Sequence, residues 1–220
     1  MAAKQRKDKI DPLTGLMVRV RFEQELARAA ARARKQGGAV SVGVVDVDLF
    51  GQVNEAHGRE AGNALLVALA AALSEAFGGD CRVGRIGGDG MAVLWPELEK
   101  EQAFLRLEAF RASFAQPRVV AGGGGPVELT PSVSAGLAAC PDDDTDGAAL
   151  LVKACEALYR AKVSGRNKVC LAREERMVTK TSHYTQGQLL GLRRLSEREG
   201  FGEAVLLREA LNDLLRKYNA

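Results

Sequence analysis

Hydrophobic positions recur along this chain in two alternating rhythms. In residues 18–36, Phe22, Leu26, Ala29 and Ala30 fall at helical spacing, and Gly37 and Gly38 stop the run. That pattern predicts an amphipathic helix. Residues 39–47 are apolar and rich in β-branched side chains, as in a strand buried on both faces. Residues 61–77, rich in Ala and Leu, predict a second helix. Residues 82–86 and 91–95 read as short strands joined by Gly87-Gly88-Asp89-Gly90, a β-hairpin. A helix over 97–115 follows, then a flexible loop tip at 122–125. Residues 127–138 read as one strand, in which Pro131 forces an edge position or a bulge. A helix over 146–162, closed by Ser164 and Gly165, and a strand over 168–171 complete the series. The hairpin in the middle excludes a purely doubly wound parallel sheet. The expected class is α/β, of the palm or ferredoxin-like type.

The rhythm changes after Leu171. Residues 1–10 form a loose basic lead, 11–171 one domain, 172–176 a charged linker, and 177–220 a small second unit. The small unit reads as a strand-like stretch (178–184), a helix (186–199), a turn at Gly200-Phe201-Gly202 and a second helix (203–218). Leu189, Leu192 and Leu195 line the first helix; Leu206, Leu207, Ala210, Leu211 and Leu214 line the second. A unit of ~40 residues cannot bury a core of its own. It either packs as a helical hairpin on the main domain or pairs between two chains in a homodimer.

Composition adds limits. The chain is 46% hydrophobic and 27% charged, ordinary for a globular protein. No apolar stretch looks long and uninterrupted enough to span a bilayer, and the basic start has no apolar core after it. No membrane association and a cytoplasmic location are expected. The four cysteines show no metal spacing and read as reduced, mostly buried small hydrophobes. Two histidines argue against a histidine-built zinc site. A net charge of +3 permits contact with nucleotides or nucleic acid without demanding it.

The chemistry concentrates in two places. Asp46-Val47-Asp48 ends an apolar strand, and Gly87-Gly88-Asp89 turns the hairpin. Two such carboxylate sites can share a divalent metal, and a glycine pair lets a phosphate approach the backbone. The pattern points to nucleoside triphosphate chemistry. Plainer readings exist: Asp46 and Asp48 ending a strand, Asn54 capping a helix, Lys162 and Arg166 forming a solvated helix end.

Four segments decide between these readings. They are Asp11-Pro12-Leu13-Thr14-Gly15-Leu16; Asp46-Val47-Asp48-Leu49-Phe50 with Val53-Asn54; Arg85-Ile86-Gly87-Gly88-Asp89-Gly90-Met91; and Ala157-Leu158-Tyr159-Arg160-Ala161-Lys162 followed by Gly165-Arg166-Asn167. In order and spacing, residues 11–171 resemble the GGDEF family of diguanylate cyclases. That family joins two GTP molecules into cyclic di-GMP across a dimer, each subunit supplying half the site. The resemblance implies that Asp46 and Asp89 are the catalytic metal ligands, holding Mg²⁺ or Mn²⁺ with the Val47 carbonyl, and that Asp48 supports them. It implies that Lys162 and Arg166 reach the phosphates, that Asn54 and position 63 read the purine, and that Gly87 and Gly88 give the backbone its geometry.

The chain departs from the family at telling positions. Gly90 stands where the family has an acid. Asn63 replaces an aspartate that reads guanine; an amide accepts only through its oxygen, so base choice relaxes. Met91 replaces a phenylalanine, Gly51 a lysine and Arg59 a histidine. Residues 78–81 lack the arginine of the family's product-inhibition site. The reading is a domain that binds a purine nucleotide but turns it over weakly or not at all.

Residues 177–218 resemble the ribbon-helix-helix family of small DNA-binding proteins. By that resemblance Thr179, Thr181 and His183 face DNA bases, and Lys180, Arg173 and Arg176 neutralise phosphates. Lys180 and Ser182 on the inward face and Glu203 at a helix start depart from that pattern. The expected whole is a dimeric, nucleotide-responsive regulator that binds double-stranded DNA. The alternatives are a cyclic-dinucleotide synthase dimerised by its tail, and a nucleotide-sensing partner protein without DNA binding.

Overall fold

The structure, a computed structural model, describes residues 10–172, 181–199 and 202–218. The chain divides into two compact units, Met1–Glu174 and Glu175–Ala220.

In the first unit, β1 (Met17–Val18) leads into α1 (Arg19–Gln36), whose end is a left-handed Gly37 with its N–H donating to the Ala33 carbonyl. β2 (Val40–Val47) is paired antiparallel on both sides, with β4 (Gly90–Pro96) and with β7 (Val133–Cys140). β3 (Arg82–Gly87) pairs with β4, β1 lies parallel to β3, and β8 (Val169–Leu171) lies parallel to β7. The sheet order is β1-β3-β4-β2-β7-β8. Its inner four strands, with α2 (Phe50–Phe77) and α3 (Lys100–Phe114), make a split βαββαβ unit, the expected palm or ferredoxin-like arrangement.

Strand alternation sorts the core. Val45, Val47, Val93 and Trp95 face Leu65, Leu69 and Leu73 of α2 and Leu107 and Phe110 of α3. Val40, Val42, Val44 and Leu94 face Phe22 and Leu26 of α1 and Leu150, Ala154 and Leu158 of α4 (Gly147–Val163). Both faces of β2 are thereby covered, which explains its unbroken apolar run.

Several expectations for this unit need correction. The second helix starts at Phe50, not at residue 61; it is two helical segments meeting at Gly58 (φ 79°, ψ 165°). The polar residues around that break hide the first segment, although Phe50 and Val53 pack against the core. By length and composition this helix could cross a bilayer, which the sequence reading denied to every stretch; here its leucines lie under the sheet. Residues 127–138 are not one strand. β5 (Arg118–Gly122) and β6 (Gly125–Leu129) form a separate antiparallel hairpin, with Gly122 and Gly125 paired at its tip rather than in a free loop. Pro131 falls between β6 and β7 because, lacking an N–H, it cannot join a central strand. The third helix starts at Lys100. A cation at a helix start opposes the dipole, but Lys100 Nζ lies 2.9 Å from Asp143, both side chains almost fully buried. Of the cysteines only Cys140 is buried; Cys155 is exposed, and Cys81 and Cys170 are half-buried.

In the second unit, α5 (Gln186–Glu199) and α6 (Glu203–Lys217) are present as expected. Thr185 caps α5: its hydroxyl accepts from Gln188 N (3.2 Å) while the Gln188 side chain accepts from Thr185 N (2.9 Å). Residues 181–185 take no regular structure, so the expected strand over 178–184 is absent from its described part. A strand needs a hydrogen-bonded neighbour, and none of the described residues supplies one. Thr179, Lys180, Arg173 and Arg176 lie outside the described residues. Leu206 is buried, whereas Leu189, Leu190, Leu211, Leu214 and Leu215 are exposed.

α4 approaches β7 at Gly136 so closely that an added Cβ would sit 2.1 Å from the Ala154 carbonyl oxygen and 2.2 Å from Leu158 N. These are backbone atoms, so nothing can yield cheaply. Gly136→Ala is expected to destabilise the domain by about 1–3 kcal/mol or more. Urea unfolding measures this; an unchanged midpoint would contradict the packing described.

Candidate functional site

Asp46 is the last inward polar position of β2, and alternation turns it toward α4 rather than into the α2–α3 core. There it meets Lys162, in the final turn of α4, whose ammonium donates to the Asp46 carboxylate. The Asp89 carboxyl, from the β3–β4 turn, lies within hydrogen-bonding reach of Asp46. Burial, and then the Asp89 charge, push the Asp46 carboxyl up to about 6, against the opposing pull of Lys162. Two acids from separate segments are thus held together in a half-buried place.

The turn that carries Asp89 is braced. Gly87 (φ 151°) and Gly88 (φ 52°) take backbone angles that side chains resist. Arg85 donates from Nε and Nη2 to the Gly88 carbonyl (3.0 and 2.7 Å) and from Nη1 to both Asp11 oxygens (3.0 and 3.2 Å). Asp11 is itself fixed by Thr14, which donates from its backbone N (2.9 Å) and its hydroxyl (2.7 Å). Burial alone would raise the Asp11 carboxyl; the Thr14 and Arg85 bonds outweigh it and hold the group below its usual range. The opening motif, a turn to the sequence reading, is the clamp on the hairpin.

Asp48, expected as support for the pair, braces the backbone around it. It is buried and accepts from Ser132 Oγ (2.7 Å), Ser134 Oγ (2.7 Å) and Asn167 N (3.0 Å). Its oxygens tie β7 and the turn after α4 to the end of β2. Arg111 Nη1 donates to Asn167 Oδ1 (2.8 Å), and Glu108 accepts from Arg111 and from Val169 N (2.9 Å). This network holds Arg166 and Asn167 in left-handed conformation (φ 60° and 46°), with the Arg166 side chain exposed. Sequence reasoning missed Ser132, Ser134, Glu108 and Arg111. A serine at 134 inside an otherwise apolar strand was the available signal, and the structure buries it fully.

The structure therefore brings Asp46, Asp89 and Lys162 together, with Val47 next to Asp46 in β2 and Gly87 and Gly88 next to Asp89 in the turn. Asn54 and Asn63 both sit on α2, either side of the Gly58 break. Asn54 Oδ1 lies over Gly62, where an added Cβ would be 2.0 Å away, and Asn63 is exposed. Thr181 and His183 of the second unit are exposed.

Among the described residues no group of three or more His, Cys, Asp or Glu side chains could hold a metal. Two carboxylates with a backbone carbonyl fit magnesium or manganese better than zinc, because Mg²⁺ keeps several waters and takes one or two carboxylates plus phosphates. Position 90 bears directly on this. A Cβ built on Gly90 would lie 3.8 Å from Asp46 Oδ2, so an acid there would reach the same centre.

Comparison with known proteins agrees with this geometry. Residues 8–168 match the family model described as diguanylate cyclase, GGDEF domain. The chain belongs to the GGDEF family. DgcP, a diguanylate cyclase of Pseudomonas aeruginosa, is 33% identical over 162 residues, covering 74% of this chain and 24% of DgcP. The response regulator PleD of Caulobacter vibrioides is 31% identical over 160 residues, covering 72% of this chain and 35% of PleD. The chain thus spans about a quarter to a third of the length of these relatives. The isolated GGDEF domain of TpbB (YfiN) from Pseudomonas aeruginosa superposes with a TM-score of 0.70 at 32% identity, covering 74% of this chain and 94% of that one. The coiled coil and GGDEF domain of DgcB from Caulobacter crescentus, in complex with c-di-GMP, gives 0.71 at 26% identity, covering 77% and 88%. The chain is a GGDEF-domain signalling protein related to proteins that bind and make cyclic di-GMP.

A proton on Asp46 excludes a cation. Mn²⁺ affinity of this GGDEF domain is therefore expected to rise about tenfold per unit from pH 4.5 toward 6 and to level off above about 7. Calorimetric titration across that range checks it, and a flat profile would contradict the shift assigned to Asp46.

Proposed function

We propose that this GGDEF domain binds a purine nucleotide, GTP or a cyclic dinucleotide, with Mg²⁺ or Mn²⁺, and turns it over weakly or not at all. The observation that carries the reading is the Asp46–Asp89 pair at the braced glycine turn, with Gly90 leaving the third acidic position bare. When bound, the metal neutralises phosphate charge and orients the attacking hydroxyl. Asp46, Asp89 and the Val47 carbonyl would hold it. Lys162 and Arg166 supply cationic donors to the phosphates, a planar guanidinium suiting two oxygens at once. Asn54 and Asn63 face the base, and an amide at 63 admits adenine as well as guanine. Loss of the acid at 90 lowers turnover more than affinity, because its charge matters most where phosphate charge develops.

In this reading the second unit pairs two copies. Its leucines on α5 and α6 are mostly exposed in a single chain, and an apolar face of that kind needs a partner. The paired tails present Thr179, Lys180, Thr181 and His183 to double-stranded DNA, and the whole is a dimeric, nucleotide-responsive regulator of transcription in the cytoplasm. Glu203, exposed at the start of α6, repels phosphate there and places the DNA contacts nearer the 179–183 segment.

A second reading, an active cyclic-dinucleotide synthase dimerised by its tail, draws support from retained Asp46 and Asp89 and from relatives such as DgcP. Incubation with GTP or ATP and Mg²⁺, read by mass spectrometry, separates the two. The regulator reading expects at most a trace of cyclic dinucleotide from the natural chain and turnover about 10²-fold above that trace from Gly90→Glu. Steady turnover by the natural chain would establish the synthase instead. For the tail, retardation of genomic DNA fragments is expected at low salt and should vanish steeply with added salt. No shift at low salt would reduce the tail to a dimer clamp.

A further inference from the structure

Lys162 does not point away from the acidic pair toward open solvent; its ammonium is engaged with Asp46. We propose that Lys162 competes with the divalent cation for Asp46, and that a nucleotide's phosphates draw the ammonium off, so that metal and nucleotide each bind more tightly in the presence of the other. The idea rests on the nucleotide-site reading above and concerns how that site is loaded.

Three observations carry it. First, the backbone around Lys162 is fixed. α4 lies against β7 at Gly136 with no room for a Cβ. The turn that follows is tied down by Asp48 through Asn167 N, and by Arg111 through the Asn167 side chain. An exchange between Asp46 and a phosphate must therefore be a side-chain swing, which a flexible four-carbon stem with rotatable donors can make. Second, the ion pair is neither sealed nor free. The Lys162 side chain is 29% exposed and that of Asp46 is 15% exposed, so the ammonium has a route out, while Asp46 is buried enough for its charge to need a partner. Third, the charge count at this centre favours a lysine. Asp46 and Asp89 carry two negative charges, and one ammonium halves the excess. Gly90 withholds a third carboxylate, whose Cβ would lie 3.8 Å from Asp46 Oδ2 and whose charge would have strengthened the site's preference for a divalent ion. With two acids, a single intramolecular cation is a serious competitor.

The consequence is thermodynamic. A metal arriving alone must displace Lys162 and leave the ammonium without its counter-charge. A metal arriving with a triphosphate finds Lys162 already drawn to phosphate oxygens. Whatever factor the nucleotide adds to metal affinity, the metal adds to nucleotide affinity. A lysine that served only as a phosphate ligand would leave metal binding in the absence of nucleotide unchanged. A lysine that served only to hold the fold would, when removed, weaken both ligands together.

The test is a pair of titrations on the full chain and on Lys162→Met, which keeps the apolar stem and removes the charge. Mn²⁺ alone, followed by calorimetry or by loss of the free-ion paramagnetic signal, is expected to bind the variant about tenfold more tightly than the natural chain, within the usual span of coupling factors. A non-reactive GTP analogue with Mn²⁺ present is expected to bind the variant about tenfold more weakly. The ratio of Mn²⁺ affinities with and without the analogue should fall toward one in the variant and stay well above one in the natural chain. Equal or weaker Mn²⁺ binding by the variant overturns the proposal. Lys162→Gln, titrated in the same way, provides a second neutral side chain should the methionine variant unfold early, and Lys162→Arg should restore the coupling. If neither protein binds the analogue yet the variant still binds Mn²⁺ more tightly, the nucleotide reading fails while the competition at Asp46 stands.

Discussion

Two like charges held together in a half-buried place form the constraint on which this domain turns. Asp46 ends the central strand and Asp89 sits in a hairpin turn, and burial with mutual repulsion raises the Asp46 carboxyl to about 6. Such a pair does not persist by itself. The chain holds it with braces that are themselves well satisfied: Arg85 between Asp11 and the Gly88 carbonyl on one side, and Asp48 with Ser132, Ser134 and Asn167 on the other. The tight contact of α4 with β7 at Gly136 then delivers Lys162 to the same point. Strain at the site is offset by hydrogen bonds around it, the usual signature of a place arranged for a ligand rather than for stability.

Much of the fold was legible because burial writes itself into spacing. β2, covered on both faces, reads as a continuous apolar run, and α1 and α4 show one apolar stripe each. The errors fall where local sequence and tertiary demand diverge. The first segment of α2 is polar on most of its surface, so periodicity alone does not reveal it, although Phe50 and Val53 pack inward. The β5–β6 hairpin and β7 share a stretch of strand-forming residues, and only the place of Pro131 between two sheets separates them. Lys100 at a helix start looks unfavourable until Asp143, 43 positions away, is brought beside it. No sequence window contains both.

The site was legible through the family motifs, and less so through single residues. Asp46, Asp89 and the glycine turn stand together in the structure. Asp48 reads as support for the pair, and the structure shows the partners through which it braces the end of β2: Ser132 and Ser134 beside β7 and the Asn167 backbone after α4. Lys162 reads like a phosphate ligand, and its ammonium meets the Asp46 carboxylate, a partner that no sequence window reveals. Glu108 and Arg111 gave no signal, because they act on the backbone of a turn far along the chain. The second unit shows the same limit from the other direction. Its leucine stripes were visible, but a surface that awaits a partner cannot be completed within one chain.

The central claim is that the Asp46–Asp89 pair still grips a cation and a purine nucleotide despite Gly90. Calorimetric titration of GTP into the full chain, with and without Mg²⁺, beside an Asp46→Ala variant, tests it most directly. Saturable heat that requires both Mg²⁺ and Asp46 is the predicted result. No heat with either GTP or ATP in the presence of Mg²⁺, or the same isotherm from the Asp46→Ala chain, would contradict it.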